Sequence, residues 1–380
     1  MVLDSWRRPS GGNKSWFNLK HTLLFSFIAF KLLDWSRAVV PQLWDLLAYL
    51  LLLATCYWGG FVACRYLKRY GLAFTVASYQ KAVLITGCDS GLGNMLARKL
   101  ALDRGFEVFA GCVDSNSAEV QKLASVPNVH IVPMDVTDQR TLDEALQFVQ
   151  TTLAKTGNYL WCVVCNAGVC EVGELEWQNQ NAIERTFDVN VMGSIRTIRT
   201  FLQTLRASKG RVVITASTTS TLSVPGFVAY SMSEAALASL GEGLKRELQV
   251  WDIDVCTVQP AGYKTDFCKL EGQSEGFLQD KFPLLAGCLQ EDYGQDYFRK
   301  FFELMRRFLN EVQNPHIEEV VEALTHAVTT VWPETHYRVG SVWQLFLHTV
   351  LDYMPTEFAD VLFEKLQHRS ELVPHAISKS

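Results

Sequence analysis

The chain has 380 residues, 48% of them apolar, which is ample for one large core with additions. Its formal net charge is only −5 and no basic tract runs longer than a few residues, so composition argues against a nucleic-acid partner.

The first eighty residues differ from the rest. Thr22–Phe30 reads TLLFSFIAF; it is too short to span a bilayer and is broken by Lys31 and Asp34. It suits an interfacial segment or one arm of a hairpin. Leu46–Cys64, LLAYLLLLATCYWGGFVAC, is 19 residues without a charge. At about 1.5 Å per residue it just crosses a hydrocarbon core about 30 Å thick. Residues 1–80 are therefore expected to form an N-terminal membrane anchor, with a transmembrane helix at about 46–64. Tyr49, Tyr57 and Trp58 suit the interfaces. Basic residues stand on both sides (Arg7, Arg8, Lys14, Lys20, Lys31 and Arg37 before, Arg65, Lys68 and Arg69 after), so the positive-inside rule assigns no orientation. The NKS triplet at Asn13 lies outside the main domain, which leans toward a cytosolic domain.

From Lys81 short apolar runs alternate with amphipathic stretches. Strands are expected at Ala82–Ile85, Glu107–Ala110, Val129–Val132, Leu160–Cys165, Arg211–Ala216 and Asp254–Val258. Helices are expected near Asn94–Leu102, Ala118–Ala124, Leu142–Thr152, Ile183–Leu205 and Tyr230–Val250. This alternation predicts an α/β fold: a doubly wound, Rossmann-like parallel sheet with ligands at the carboxyl ends of its strands. The main domain is expected to span 81–333, followed by an apolar extension, 334–380. Of the ten cysteines, Cys162 and Cys165 have CxxC spacing. Alternation along a strand sends them to opposite faces, and no second pair completes a metal set. Buried thiols, reducing surroundings and no metal are the expectation.

The first strand ends in TGCDSGLG, Thr86–Gly93, where a phosphate-binding turn must lie. Its glycines admit backbone angles closed to other residues and a close approach to pyrophosphate at a helix N-terminus. Asp114 ends the second strand, about 21 residues past Gly93. An acidic residue there binds ribose hydroxyls and repels a 2′-phosphate, which favours NAD over NADP. Asp135 and Val136 end the third strand and would border an adenine pocket, with Thr137 or Asp138 capping the next helix. CNAG, Cys165–Gly168, closes the fourth strand. Asn190 stands inside an apolar helical segment, unfavourable without a purpose such as binding water or holding a main-chain carbonyl. Ser217 ends the fifth strand, thirteen residues before Tyr230.

TGxxxGxG, NAG, the helical Asn190, Ser217 and Tyr230 in this order resemble the short-chain dehydrogenase/reductase family. The likeness runs over roughly Lys81–Pro333. TGCDSGLG looks like the animal branch of retinol and hydroxysteroid dehydrogenases, and EDYGQDY, Glu291–Tyr297, is similar to a segment of the type 2 17-beta-hydroxysteroid dehydrogenases. Membrane anchors occur in that branch. The resemblance implies Tyr230 as general acid/base, Ser217 as hydrogen-bond donor to the same oxygen, and Asn190 as holder of a water in the proton relay. Thr86, Gly87, Ser90, Gly91, Leu92, Gly93, Asp114, Asp135, Val136, Asn166, Ala167, Gly168, Tyr230, Pro260 and Thr265 would hold the dinucleotide. It also implies hydride transfer between NAD and a hydrophobic secondary alcohol or ketone, a steroid first and retinol second. The chain would sit in the endoplasmic reticulum, with mitochondria as the alternative, and a homodimer is an allowed assembly.

Two positions depart from the family pattern. Pro-Gly before the last motif reads Pro260-Ala261, a methyl near the nicotinamide. YxxxK reads YSMSE, so the lysine position is Glu234. A phenol with an ordinary pKa near 10 needs help at neutral pH. A unit charge about 5 Å away at an effective dielectric of about 20 is worth roughly 3 kcal/mol, or about 2 pKa units. Reversing that charge opposes ionisation of Tyr230, while ribose binding survives because a carboxylate accepts from both hydroxyls. Three readings follow: a working enzyme in which another cation, Lys264 being the nearest in the motifs, replaces the ammonium; an impaired NAD-binding protein acting through partners at a membrane; or a base-reading error, since Lys and Glu codons differ by one base. After Thr265, the stretch Lys269–Asn314 is rich in aromatics, suiting either an apolar lid or core packing. Val342–Leu351 is too short to span; it suits packing on the domain or dipping into a membrane.

Overall fold

The computed structural model describes residues 13–67, 74–265, 267, 276–368 and 371–378. Lys68, Arg69, Cys268 and the expected basic residues Arg7 and Arg8 lie outside them. The chain forms two compact units: residues up to Phe74 with Tyr353–Leu366, and Thr75–Asp352 with Gln367–Ser380.

In the first unit, α1 (Asn13–Val39) and α2 (Pro41–Tyr66) are separated by Val40, with Pro41 in the first turn of α2. Trp44 Nε1 donates to Ser36 Oγ at 3.2 Å. Thr22–Phe30 lies inside α1, which continues through Lys31 and Asp34. The two charges interrupt the apolar run, not the helical backbone. Within α2, Pro41–Cys64 is 24 residues, none of that window buried. It is the one helix among the described residues long and apolar enough to cross a membrane.

The second unit is built on a seven-stranded sheet, all parallel, in the order β3-β2-β1-β4-β5-β6-β7. The strands are β1 Lys81–Ile85, β2 Glu107–Cys112, β3 Val129–Pro133, β4 Tyr159–Cys165, β5 Arg211–Thr215, β6 Asp254–Pro260 and β7 His336–Val339. Chain order reverses between β1 and β4, which leaves a crevice at their carboxyl ends. Alternate residues of β1 serve opposite faces. Val83 and Ile85 join a core with α3 (Gly91–Leu102), α4 (Ala118–Ala124) and α11 (Glu318–Thr329). Ala82 and Leu84 join another with α5 (Gln139–Thr156), α7 (Ser194–Ser208) and α8 (Val228–Leu248). Each Leu, Ile, Val or Phe so buried stabilises by about 1.5–3 kcal/mol. Cys162 lies in the first core and Cys165 in the second, both as free thiols. Burial pushes the Cys165 thiol up to about 12.

Three elements differ from the sequence expectation. β7 lies beyond 333 and completes the sheet; HYRV is too short and polar to announce a strand. α3 begins at Gly91 rather than Asn94, because the glycine turn itself starts the helix. The expected helix Ile183–Leu205 is interrupted: α6 (Gln180–Phe187) passes into a π-helical turn, Asp188–Gly193, before α7. Gly193 is required there, since a Cβ would fall 2.6 Å from Val136 Cγ2.

Candidate active site

The turn after β1 is shaped by its glycines. Gly87 has φ +69°, and a Cβ on it would lie 2.8 Å from Ala167 Cα. A Cβ on Gly93 would lie 2.3 Å from Gly87 O. Gly91, at φ +58°, faces open space instead, with nothing within 4 Å of where its Cβ would stand. The N-cap of α3, Ser90, makes no side-chain capping bond. The first N–H groups of α3, Leu92 among them, stand at the positive end of a helix dipole beside that open space. A dinucleotide pyrophosphate fits that cradle.

Thr86 and Asn166 tie this turn to the end of β4. Thr86 Oγ1 accepts from Asn166 N and Ala167 N, both at 2.9 Å. Asn166 Nδ2 donates to Thr86 O at 3.1 Å and Gly87 O at 3.2 Å. Asp114 is exposed at the end of β2, and its Oδ1 accepts from Asn116 N at 3.0 Å. Asp135 closes a turn after β3 by accepting from Thr137 N and Oγ1 at 2.9 and 2.8 Å. Asp138, not Thr137, caps α5. Val136 is buried against Gly193.

Ser217, Tyr230 and Asn190 come from three elements. Ser217 is buried at the head of a 3-10 turn after β5, its Oγ donating to Pro260 O at 3.5 Å and accepting from Thr219 N at 3.2 Å. α8 packs on that turn and carries Tyr230 in its first turn. Asn190 is 1% exposed within the π-helical turn, and its amide is bonded on both sides. Oδ1 accepts from Val169 N at 2.8 Å, while Nδ2 donates to Val169 O and Ser233 Oγ, each at 3.0 Å. Ser233 Oγ donates in turn to Tyr230 O at 2.8 Å. The loop after β4 is thereby fastened to the tyrosine helix. Glu234, one turn past Tyr230, is 4% exposed. Lys264 is exposed, in contrast to Glu234.

Beyond β6 the Ala261 methyl packs toward Gly340, where an added Cβ would meet it at 3.0 Å; the departure from Pro-Gly is accommodated against the β7 side. Thr265 Oγ1 accepts from Phe267 N at 3.3 Å. The Phe267 ring lies 5.8 Å from that of Tyr230 and 3.8 Å from where a Cβ on Gly168 would stand. Phe267 thus brings Gly168 and Tyr230 into one neighbourhood, which no motif spacing signals. Trp177 is likewise absent from the motifs. Its ring contacts Phe277, Phe298, Phe301 and Phe302 at 5.0–6.2 Å, and α10 (Gln295–Val312), which follows α9 (Gly287–Tyr293), buries its aromatic face there. The aromatics of the segment after β6 therefore form a core of their own. Three carboxylates of the loop after β4 fasten that segment: Glu174 accepts from Tyr297 Oη at 2.8 Å, Glu176 accepts from Tyr293 Oη at 2.5 Å, and Glu171 pairs with Lys281.

Comparison with known proteins agrees with this geometry. The short chain dehydrogenase profile matches residues 81–276. Retinol dehydrogenase 16 of Rattus norvegicus is 33% identical over 285 residues, covering 74% of this chain and 87% of that protein. The 17-beta-hydroxysteroid dehydrogenase type 6 of Bos taurus is 32% identical over 303 residues, covering 79% and 93%. A short-chain dehydrogenase structure from Streptomyces avermitilis superposes with a TM-score of 0.55 at 25% identity, covering 76% of this chain and 97% of that one. The profile begins at β1, at Lys81, and strands β1 to β6 and the glycine turn lie inside the matched region, so the chain belongs to the short-chain dehydrogenase/reductase family.

Proposed function

We propose that this chain is an NAD-linked dehydrogenase of hydrophobic alcohols, acting on a steroid hydroxyl or on retinol. The observation that carries the reading is the open cradle over Gly91, flanked by acidic residues at the end of β2. Thr86–Gly93, Asn166, Ala167 and Gly168 would hold the dinucleotide. Asp114 would receive the adenosine ribose, Asp135 and Val136 would border the adenine, and Pro260 and Thr265 would meet the nicotinamide end. Bound there, NAD supplies the hydride acceptor. Tyr230 would exchange a proton with the carbinol oxygen while Ser217 bonds the same oxygen. Asn190 has its side-chain amide engaged within the protein, so a relay water would meet its main-chain carbonyl. That carbonyl accepts from Ser194 Oγ at 2.7 Å. The names of the relatives support a retinoid or steroid substrate. The apolar helix Pro41–Cys64 supports anchoring in a membrane; the endoplasmic reticulum is the first choice of membrane in this reading and mitochondria the alternative.

A second reading is favoured by one observation: residue 234, lysine in the family pattern, is a buried glutamate here. In that reading the chain binds NAD and turns over slowly or not at all, acting through partners. One experiment separates the two. The full chain in detergent is titrated with NADH, then assayed with NAD on a steroid and retinoid panel. Binding with turnover supports the first reading, binding without turnover the second, and no binding removes both.

A further inference from the structure

The glycine turn contains a side chain that neither the ribose nor the phosphates account for. Asp89 lies between Gly87 and Gly91, and its Oδ1 accepts from two successive backbone N–H groups, Val113 N and Asp114 N, each at 2.9 Å. These residues are the first two past β2. Two consecutive amides converging on one point form an anion-binding nest. In a doubly wound dinucleotide fold, the end of the second strand is where the adenosine ribose is recognised, and where a 2′-phosphate is accepted or refused. The chain fills this nest with its own carboxylate. The surrounding backbone is held on both sides: Cys88 N donates to Gly111 O and Met134 N to Cys112 O, both at 2.8 Å. Neither Thr86–Gly93 nor Val113–Ser117 contains a basic residue.

We propose that Asp89 is a specificity-determining residue, whose carboxylate plugs the nest at the end of β2 and, with Asp114, sets two negative charges against a 2′-phosphate. The proposal rests on the dinucleotide site described above and deepens it. Asp114 would answer to the ribose directly. Asp89 acts through the protein's own amides, denying a phosphate its two backbone donors while adding charge.

A purely mechanical role for Asp89, tying the turn to the strand end, makes a different prediction, and Asp89→Asn separates the two. Asparagine keeps an Oδ1 acceptor for both amides and removes the charge. Asp89→Ala removes both and opens the nest. The full chain in detergent is titrated with NADH and with NADPH, following energy transfer from tryptophan to the bound dihydronicotinamide. The ratio of the NADPH Kd to the NADH Kd is expected to fall about tenfold in Asp89→Asn, the scale of one partly screened charge at close range, and further in Asp89→Ala. A ratio unchanged in both variants, with NADH still bound, overturns the role of Asp89 and leaves the dinucleotide site standing. A parent protein that binds neither dinucleotide overturns the site and the proposal together. A parent that prefers NADPH overturns the proposal and the NAD reading while keeping the fold's dinucleotide site. Asp89→Asn is isosteric, so the comparison stands even if Asp89→Ala does not fold.

Discussion

Asn190 holds both polar groups of Val169. Its Oδ1 accepts from Val169 N at 2.8 Å and its Nδ2 donates to Val169 O at 3.0 Å, while the same Nδ2 reaches Ser233 Oγ, also at 3.0 Å. A strand would normally satisfy such backbone groups. Here β4 has ended at Cys165, and a helical side chain completes the pairing. The π-helical turn makes this possible, since the extra residue per turn swings Asn190 inward toward the crevice.

Asn190→Ala would leave the N–H and C=O of Val169 without their partner. An unsatisfied buried polar group costs about 1–3 kcal/mol, so the total is expected to reach about 2–4 kcal/mol. The thermal midpoint should fall by several degrees, and dinucleotide-dependent turnover should fall with it. An unchanged midpoint would show that water replaces the side chain without loss.

The glycines of the turn should separate folding from binding. Gly87→Ala places a methyl 2.8 Å from Ala167 Cα and keeps a left-handed backbone, so it should lower the thermal midpoint directly. Gly91→Ala meets nothing within 4 Å and carries only backbone strain of about 1–2 kcal/mol. Its methyl stands where the phosphates would lie, so NADH affinity should fall more than about thirtyfold, beyond what strain of that size alone permits. Equal NADH affinity for parent and Gly91→Ala in a binding titration would remove the phosphate cradle from this position.

Glu234→Lys should raise turnover. A negative charge near the phenol opposes its ionisation and a positive one favours it, each by about 2 pKa units at about 5 Å. The rate should therefore rise at least about tenfold at neutral pH, and the limb of the pH–rate profile set by Tyr230 should move to lower pH. Position 234 is buried, where an unpaired lysine costs stability; Glu234→Gln removes the charge with little change of shape and should show half the effect. A rate and profile unmoved in both variants would mean that residue 234 does not act on the tyrosine.

His348 gives the protein an acid-side weakness. It lies on α12 (Val342–Tyr353), its Nδ1 is buried without a hydrogen-bond partner among the described residues, and Asp352 and Arg338 face it as an ion pair at 2.5 Å. Burial, the largest cause, depresses its pKa below the ordinary 6.5; Asp352 opposes the shift and Arg338 adds to it. Below that ordinary value the unfolded chain takes up a proton that the folded chain refuses, so the stability present above it is lost as pH falls. The thermal midpoint should be level from pH 8 to 7 and decline below about 6.5, and His348→Gln should flatten the decline. A decline identical in the variant would assign the acid sensitivity to other groups.

Much of the sheet is legible before any coordinates. Ala82–Ile85, Glu107–Ala110 and Leu160–Cys165 read as buried strands because parallel strands covered on both faces are continuous apolar runs. The glycine turn is legible because positive φ at Gly87 and Gly91, and close approach at Gly87 and Gly93, favour glycine there. The helical break at Asn190 is not legible, because DVNVMG keeps helical spacing through the turn that interrupts it. β7 is missed because its four residues belong to the sheet only through pairing with β6.

Taken alone, the sequence determined the order of strands and helices, the apolar segment before them and the chemical types along the crevice, since periodicity and turn chemistry are properties of neighbours in the chain. The tertiary structure alone decided that Asp89 seizes the amides of Val113 and Asp114, that Asn190 grips Val169, and that the aromatic segment closes around Trp177. Each of these joins residues about twenty or more positions apart, and such a contact depends on where the packed core places two backbones, which no local pattern records.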